Sequence, residues 1–296
     1  MTIRIGLDWG TSSLRAWRIA DGQITDARQF PLGVRKIAAG THAQVLHEHI
    51  GDWINEAEII IGAGMVGSTF GWYEVPYLEM PLGLDDICSK AVEVPNGIKR
   101  SDRSTLPVKI ISGVKKNSAG EFDVMRGEES QVLSLGIEEG TVVLPGTHSK
   151  WIAIKGGKIV DFRSYFTGEL FNLLVKESSI TQAISEGKHT KTLGNEAFIA
   201  ALKTPGSELT HEIFATRARW LMGGKIDDNR EHLSGLIIGA EIQAAITHFR
   251  DKHVHIIANV ELADIYEKAL AEFGISATKI ADSLTLKVFN RTAELA

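Results

Sequence analysis

Asp8 stands two residues ahead of Gly10, and three hydroxyl side chains follow in succession, Thr11, Ser12 and Ser13. A glycine turn whose backbone N–H groups and hydroxyls share one concavity suits phosphate oxygens. A single carboxylate beside it suits a divalent cation, held directly or through water. Arg15 is grouped with the same tip as a cofactor-binding candidate. Glycine, serine and threonine also fill ordinary turns for conformational reasons, so the tip needs a second observation.

That observation is a weak internal repeat. Gly146-Thr147-His148-Ser149 overlays Gly10 to Ser13, and after a one-residue gap Gly157 to Arg163 overlays Gly22 to Arg28. Each copy reads strand, polar turn, strand, glycine turn, strand. The copies differ where chemistry would ask it: Leu144 replaces Asp8, and Lys150 stands opposite Leu14. Two facing tips, one with a metal and one with positive charge, would clamp a polyphosphate. His148 either donates to a phosphate or caps its turn.

Met125-Arg-Gly-Glu-Glu opens a helix expected to run through Leu135. Carboxylates in a first turn serve the helix dipole in any case. Held ionised and aimed by that dipole, one of them can also accept a proton from a substrate hydroxyl. Glu128 is the first choice for this base and Glu129 the second, with Asp8 as the third catalytic candidate. Arg126 can pair with a substrate carboxylate. Thr167-Gly-Glu-Leu reads as an N-cap and helix start, with Glu169 compensating the dipole.

The elements that must position these groups follow from the apolar spacing. Ile3 to Asp8 and Leu14 to Ile19 read as strands; Thr41 to Asn55 reads as a helix capped by Thr41. His42, His47 and His49 lack i, i+4 spacing and read as surface or partly packed residues. Ile59 to Gly67 spells an apolar strand feeding G-x-G-x-x-G, the dinucleotide fingerprint. That motif requires a helix at its third glycine, whereas Ser68 to Tyr77 is aromatic, broken by Gly71 and stopped by Pro76. A dehydrogenase is excluded. Pro76 to Pro107 reads as irregular with a helix near Asp86 to Val94, followed by a strand at Val108 to Ile111. Lys115 to Gly120 reads as an exposed loop that could act as a lid. Helices are expected over 196–202, 209–222, 233–249 and 262–273, a buried strand over 254–258 and a closing helix past 282. On the helix from Leu233, small residues at Ala240, Ala244 and Ala245 allow close approach of a ligand or a neighbouring helix.

The 296 residues suffice for two lobes and a sizeable core. At 44% hydrophobic and 23% charged residues, composition is that of an ordinary enzyme. A net charge of −5 without a long basic run gives a nucleic-acid partner no electrostatic support. Cys88 stands alone, which fits a reducing compartment. No apolar signal core opens the chain, and no span approaches the roughly 20 apolar residues of a membrane helix. The expected location is the cytoplasm.

The pattern resembles the superfamily of actin, hexokinase and Hsp70-like ATPases, and within it the 2-dehydro-3-deoxygalactonokinase family. The residues that carry the resemblance are Leu7 to Trp17, Ala63 to Ser68, Gly71-Trp72, Met125 to Glu129, Pro145 to Trp151, Thr167 to Leu170 and Leu233 to Glu241. It implies an α/β fold of two duplicated ribonuclease H-like lobes with an ATP cleft between them. The expected division is 1–137, with the first turn and the sugar-acid site, and 138–296, with the second turn and the nucleotide. Gly10, Thr11, Ser12, Ser13, Arg15, Gly146, Thr147, His148, Ser149 and Lys150 would hold the phosphates of ATP, and Asp8 would position Mg²⁺. Met65, Ser68, Trp72, Arg126 and Glu169 would border the sugar acid. The activity implied is phosphorylation of 2-dehydro-3-deoxy-D-galactonate at O6, or of a related acid such as its gluconate epimer. A homodimer is left open. One departure is Ala258-Asn259-Val260, where the superfamily usually carries a glycine near adenosine. Two other classes compete. A nucleotide switch would want a large partner surface, and a ribonuclease H-like nuclease would want clustered acids and a basic groove.

Overall fold

In a computed structural model, described over residues 2–118, 120–185, 194–223, 228–281 and 285–296, the chain divides into two compact units. One comprises Met1–Glu139, Ile154–Asp161 and Ser283–Ala296; the other comprises Gly140–Ala153 and Phe162–Asp282.

The first part of the chain runs β1 (Ile3–Trp9), β2 (Leu14–Ala20), β3 (Gln23–Phe30), α1 (His42–Ile54), β4 (Ile59–Ala63), β5 (Leu78–Glu79), α2 (Leu84–Ser89), β6 (Val92–Glu93), β7 (Ile98–Lys99), β8 (Thr105–Leu106), β9 (Val108–Ile110), β10 (Val114–Ser118), β11 (Glu121–Met125) and α3 (Glu128–Leu135). The remainder runs β12 (Glu139–Leu144), β13 (Ser149–Lys155), β14 (Lys158–Tyr165), α4 (Thr167–Glu177), α5 (Thr181–Ser185), α6 (Glu196–Leu202), α7 (Leu209–Leu221), α8 (Asn229–Phe249), β15 (His253–Ala258), α9 (Val260–Glu272), β16 (Ser276–Ala281) and α10 (Leu286–Glu294).

Two sheets repeat one plan. The first has the order β3-β2-β1-β4-β9-β6 and the second β14-β13-β12-β15-β16. In both, the first strand of a three-strand run pairs in parallel with a later strand, β1 with β4 and β12 with β15. The hairpin corners also agree. Asp21 and Gly22 have φ of 48° and 79°, Gly156 and Gly157 φ of 57° and 66°. Consecutive left-handed residues match the right-handed twist of the strands they join.

Alternation along β1 buries Ile3, Ile5, Leu7 and Trp9 and leaves Arg4 and Asp8 partly exposed. From α1, Leu46, Ile50, Trp53 and Ile54 close that core. In the second unit, Val143, Trp151, Ile256, Tyr266 and Leu270 share a core with α6 and α8. Gly235 and Gly239 of α8 lie against α6: a Cβ on either would stand 2.3 Å from Phe198 O or 2.2 Å from Leu202 O. The small face of α8 therefore admits a neighbouring helix.

Several elements differ from the sequence expectation. The closing helix α10, placed in 138–296 by sequence, belongs to the first unit. It buries Val288 and Phe289, and the Phe289 ring occupies the space a side chain at Gly6 would need, 2.3 Å from that Cβ position. Segment 154–161 also joins the first unit. The stretch expected as a lid is the hairpin β10–β11, in register from Val114↔Met125 to Ser118↔Glu121. Its Lys116 bonds Asp161 at 2.7 Å and also pairs with Glu121. The adjacent Lys115 and Lys116, followed by polar residues, make this edge hairpin read as a loop. The helix expected near 86–94 spans Leu84–Ser89 and stops before β6. Thr41 occupies the N-cap of α1 without capping it, since its hydroxyl donates back to Ala38 O at 2.9 Å. Among the described residues, no helix is long and apolar enough to cross a membrane.

Gly6→Ala should destabilise the protein by about 1–3 kcal/mol, because the new methyl and the Phe289 ring claim one volume. Phe289→Ala should cost less in that background than in the wild type. Thermal unfolding of the two single variants and the double variant reads this coupling.

Candidate active site

Asp8 and Arg15 are cross-strand partners in the β1–β2 hairpin. The Arg15 Nε lies 3.1 Å from Asp8 Oδ2, and Nη2 is closer still. Arg15 thus orients the carboxylate that the tip carries. Between them the turn closes by Gly10 N–H donating to Ser13 O at 2.9 Å, with Thr11 and Ser12 exposed. Gly33 braces it from behind, where a Cβ would lie 1.8 Å from Thr11 O, and Val34 N–H donates to Gly10 O at 3.0 Å.

A second close approach brings the remaining first-unit candidates to Asp8. Gly64, with φ of 85°, starts a single 3₁₀ turn, Gly64–Gly67, and no α-helix follows. The rejection of a dinucleotide fold holds on that ground. A Cβ on Gly64 would meet Asp8 Oδ1 at 3.0 Å, and one on Gly127 would meet Gly64 Cα at 3.3 Å. Glycine at both positions stacks three backbone segments, so the start of α3 reaches the Asp8 neighbourhood.

Gly127, at φ 114°, is the N-cap of α3 and has no side chain with which to cap. The two glutamates that follow divide the task. Glu128 is half-buried and its Oε2 accepts from Arg126 N–H at 3.1 Å. Glu129 is fully buried; its oxygens lie 2.9 and 2.7 Å from Gly127 N, and Ser130 Oγ donates to it at 3.0 Å. Burial, with the charge of Glu128 beside it, pushes Glu129 up to about 8. The helix start does not hold Glu129 ionised at neutral pH, contrary to the expectation for a first-turn carboxylate, because desolvation outweighs the local N–H bonds.

Arg126 is buried against the ring of Tyr77, with Cζ 4.1 Å from its centroid, and Nη2 donates to Val75 O at 2.9 Å. Its Nε and Nη1 have no hydrogen-bond partner. Gly67 makes room for the guanidinium, since a Cβ there would stand 2.9 Å from Nη1. Ser68 serves its own loop: the hydroxyl donates to Met65 O at 2.7 Å and accepts from Phe70 N at 3.3 Å. Met65 and Trp72 are half-buried against the core. His42, expected at or near the surface, is 2% exposed, with Trp72 parallel to it at 6.2 Å and Trp9 edge-on at 5.4 Å. Burial lowers its pKa.

The second unit repeats the turn. Gly146, Thr147 and His148 are exposed. Gly168 braces them as Gly33 braces the first turn: a Cβ would lie 2.3 Å from Gly146 O, and Glu169 N–H donates to Thr147 O at 2.9 Å. Gly33 and Gly168 each fall three residues beyond the third strand of their copy, which extends the repeat past the stretch that sequence alone aligned. His148 Nε2 contacts Glu169 Oε2 at 2.5 Å and its ring stacks on Phe166. Lys150 is buried in β13 and its ammonium returns to the turn, donating to His148 O at 3.1 Å.

Two expectations change here. Ser149 is turned inward, with Oγ 3.1 Å from the Tyr266 hydroxyl. Thr167 lies inside α4 rather than capping it, and its hydroxyl donates to Glu241. Glu241 was missed, although a lone carboxylate four and eight residues past Ile237 and Leu233 on an apolar stripe is a readable signal. Asn259 takes the place of the usual glycine without strain. Its φ is −62°, and its side chain caps α9 by accepting from Leu262 N at 3.0 Å.

The sequence pattern of the 2-keto-3-deoxy-galactonokinase family matches residues 8–290. The chain is similar to the Escherichia coli K12 2-dehydro-3-deoxygalactonokinase, 32% identical over 286 residues, covering 95% of this chain and 94% of that one. A Sinorhizobium meliloti crystal structure, provisionally named for the same activity, superposes with a TM-score of 0.84 at 29% identity, covering 99% of this chain and 95% of that chain. The ADPNP-bound activator of 2-hydroxyisocaproyl-CoA dehydratase from Clostridium difficile shares the fold at TM-score 0.51 and 11% identity, over 99% and 96% of the chains.

Glu129 generates a pH prediction. Its folded pKa of about 8 lies above the ordinary 4.5, so between those values the folded state holds a proton that the unfolded state releases. Wild-type stability should therefore fall with rising pH across that window, by at most about 1.4 kcal/mol per unit. Glu129→Gln keeps the shape and removes the titration. The stability of this variant relative to wild type should rise from pH 5 to pH 8 in denaturant titrations.

Proposed function

The chain belongs to the 2-keto-3-deoxy-galactonokinase family, and from that premise we propose that it transfers phosphate from ATP to O6 of 2-dehydro-3-deoxy-D-galactonate. The observation that carries this reading is the start of α3. There a buried guanidinium with unpartnered N–H groups, Arg126, stands two residues from a half-buried carboxylate, Glu128. A sugar acid carries a carboxylate for the one and a hydroxyl for the other. A buried cation with donors to spare is costly unless an anion completes it, which supports the pairing of Arg126 with the substrate carboxylate.

Phosphoryl transfer asks for alignment and charge neutralisation more than for covalent chemistry. Each tip, Gly10 to Ser13 in the first unit and Gly146 to His148 in the second, offers backbone and hydroxyl donors suited to phosphate oxygens, and Lys150 adds a positive charge behind the second. Glu128 accepts the proton of the attacking hydroxyl. Glu129 holds Gly127 N–H and so fixes the turn from which Glu128 and Arg126 project.

Mg²⁺ fits the donor set. Among the described residues no three His, Cys, Asp or Glu side chains gather into a metal cage. Mg²⁺ characteristically takes one or two carboxylates, waters and substrate phosphates. Asp8 is the carboxylate that would hold it, and when bound the ion neutralises phosphate charge.

Coupled ADP release against a panel of 2-keto-3-deoxy acids tests the substrate, with the galactonate expected ahead of its gluconate epimer. ATP binding without turnover on any such acid would overturn the proposal. Glu128→Gln should lower kcat by about 10²–10⁴ with both KM values little changed. Arg126→Met should raise the sugar-acid KM by roughly tenfold or more and leave the ATP KM unchanged.

A further inference from the structure

Glu241 lies on α8 and is 3% exposed. Its carboxylate collects donors from the segments that build the second turn. Trp151 of β13 donates Nε1–H to Oε1 at 2.9 Å, Tyr266 of α9 donates its hydroxyl to Oε2 at 2.8 Å, and Thr167 of α4 donates to the same oxygen. Since the tyrosine proton is given to Glu241, the 3.1 Å contact between Ser149 and Tyr266 is completed by Ser149 as donor. Ser149 and Thr167 are therefore tied to one buried acceptor, and these two residues bracket the turn. Ser149 ends it. Thr167 precedes Gly168 and Glu169, which brace Gly146 and Thr147. Burial pushes both the Glu241 carboxyl and the Tyr266 hydroxyl up, while hydrogen bonds from Thr167, Trp151, Tyr266 and Ser149 hold the carboxylate back.

The first unit secures the equivalent brace more simply. Trp9 Nε1–H donates directly to Leu32 O at 2.7 Å, one residue before Gly33. Thr167 stands at the matching place before Gly168, and there a buried acid replaces the backbone carbonyl.

We infer that Glu241 is a positioning residue for the phosphate turn at Gly146 to His148, holding the two ends of that turn in one geometry through Ser149–Tyr266 and Thr167. This rests on the reading of that turn as a phosphate site. Glu241 acts on nucleotide binding and leaves the Arg126–Glu128 side of the reaction unaffected.

Glu241→Gln preserves volume but replaces one acceptor oxygen by an NH₂ group facing hydroxyl donors. The full-length variant should bind ADP roughly tenfold more weakly by calorimetry, as for one mispositioned hydrogen bond, with the sugar-acid KM within twofold of wild type. Thr167→Val and Tyr266→Phe should each weaken ADP binding, and Thr167→Val should add nothing in the Glu241→Gln background. Should Glu241→Gln not fold, these two single variants carry the test. Wild-type ADP affinity in the folded variants would overturn the inference, and so would an equal loss of ADP and sugar-acid affinity. The Thr147→Ala/His148→Ala double variant separates the premises. If it leaves ADP affinity unchanged, the phosphate reading of the turn fails. If it weakens ADP while the Glu241 series does not, only the positioning role fails.

Discussion

Backbone packed directly on backbone is the constraint from which both turns take their shape. Thr11 O and Gly146 O each lie within bonding range of where a side chain at Gly33 or Gly168 would begin. Any larger residue would push the turn off its support, since real Cβ atoms do not approach carbonyl oxygens that closely. Glycine costs conformational entropy wherever it is fixed. The fold accepts that cost twice, at corresponding places, and a carbonyl of each turn also accepts an N–H from the segment behind it. A tip braced in this way holds its remaining N–H groups and hydroxyls already ordered, the preorganisation that the proposed phosphate role would use.

The same economy governs the start of α3. Gly64 and Gly127 let three segments meet with no side chain between them, and both use positive φ to do it. A helix whose N-cap is glycine leaves its first N–H groups to other acceptors. Here the acceptors are the helix's own first two glutamates, folded back on Arg126 N and Gly127 N. One of those glutamates is sealed from water and kept protonated near neutrality; the other stays partly open. Of the two, only Glu128 keeps a carboxylate within reach of solvent, which supports its proposed role over that of Glu129.

Much of this was legible in the sequence, for identifiable reasons. Strand alternation in Ile3 to Trp9, the paired glycine turns and the absence of a helix after Gly67 are local properties, and local spacing reports them faithfully. The proximity of Arg126, Glu128 and Glu129 was readable because all three fall at one helix start. What escaped reading is non-local. His42 looks polar among exposed neighbours, yet its burial is decided by Trp9 and Trp72, which lie 33 and 30 positions away by sequence. The docking of α10 on the first sheet depends on the empty space above Gly6, a glycine that in sequence reads as an ordinary strand residue. Ser149 seemed one hydroxyl of a phosphate loop, but the strand pleat turns it inward to Tyr266. Lys115 to Gly120 carried charge enough to pass for a loop, whereas its lysines sit on an edge hairpin and pair with Glu79, Glu121 and Asp161.

The two copies also show where duplication has been spent. Strand order, hairpin corners and glycine braces persist, because each is a requirement of backbone geometry that any descendant of the hairpin must meet. Charge does not persist. The first copy places an ion pair, Asp8 with Arg15, across its open strands beside the turn; the second places a lysine in its strand and a buried glutamate beneath. A buried carboxylate satisfied by four side chains is expensive to assemble and costly to disturb, so its presence under the second turn, with no counterpart under the first among the described residues, argues that the second tip is held more tightly than packing alone requires. On the proposed phosphate reading, a tip that works through N–H groups and a lysine would depend on their convergence, whereas a tip with its own carboxylate would recruit a cation and tolerate more slack. The asymmetry of the charges is what the proposed division, a cation at the first tip and phosphate alone at the second, would require.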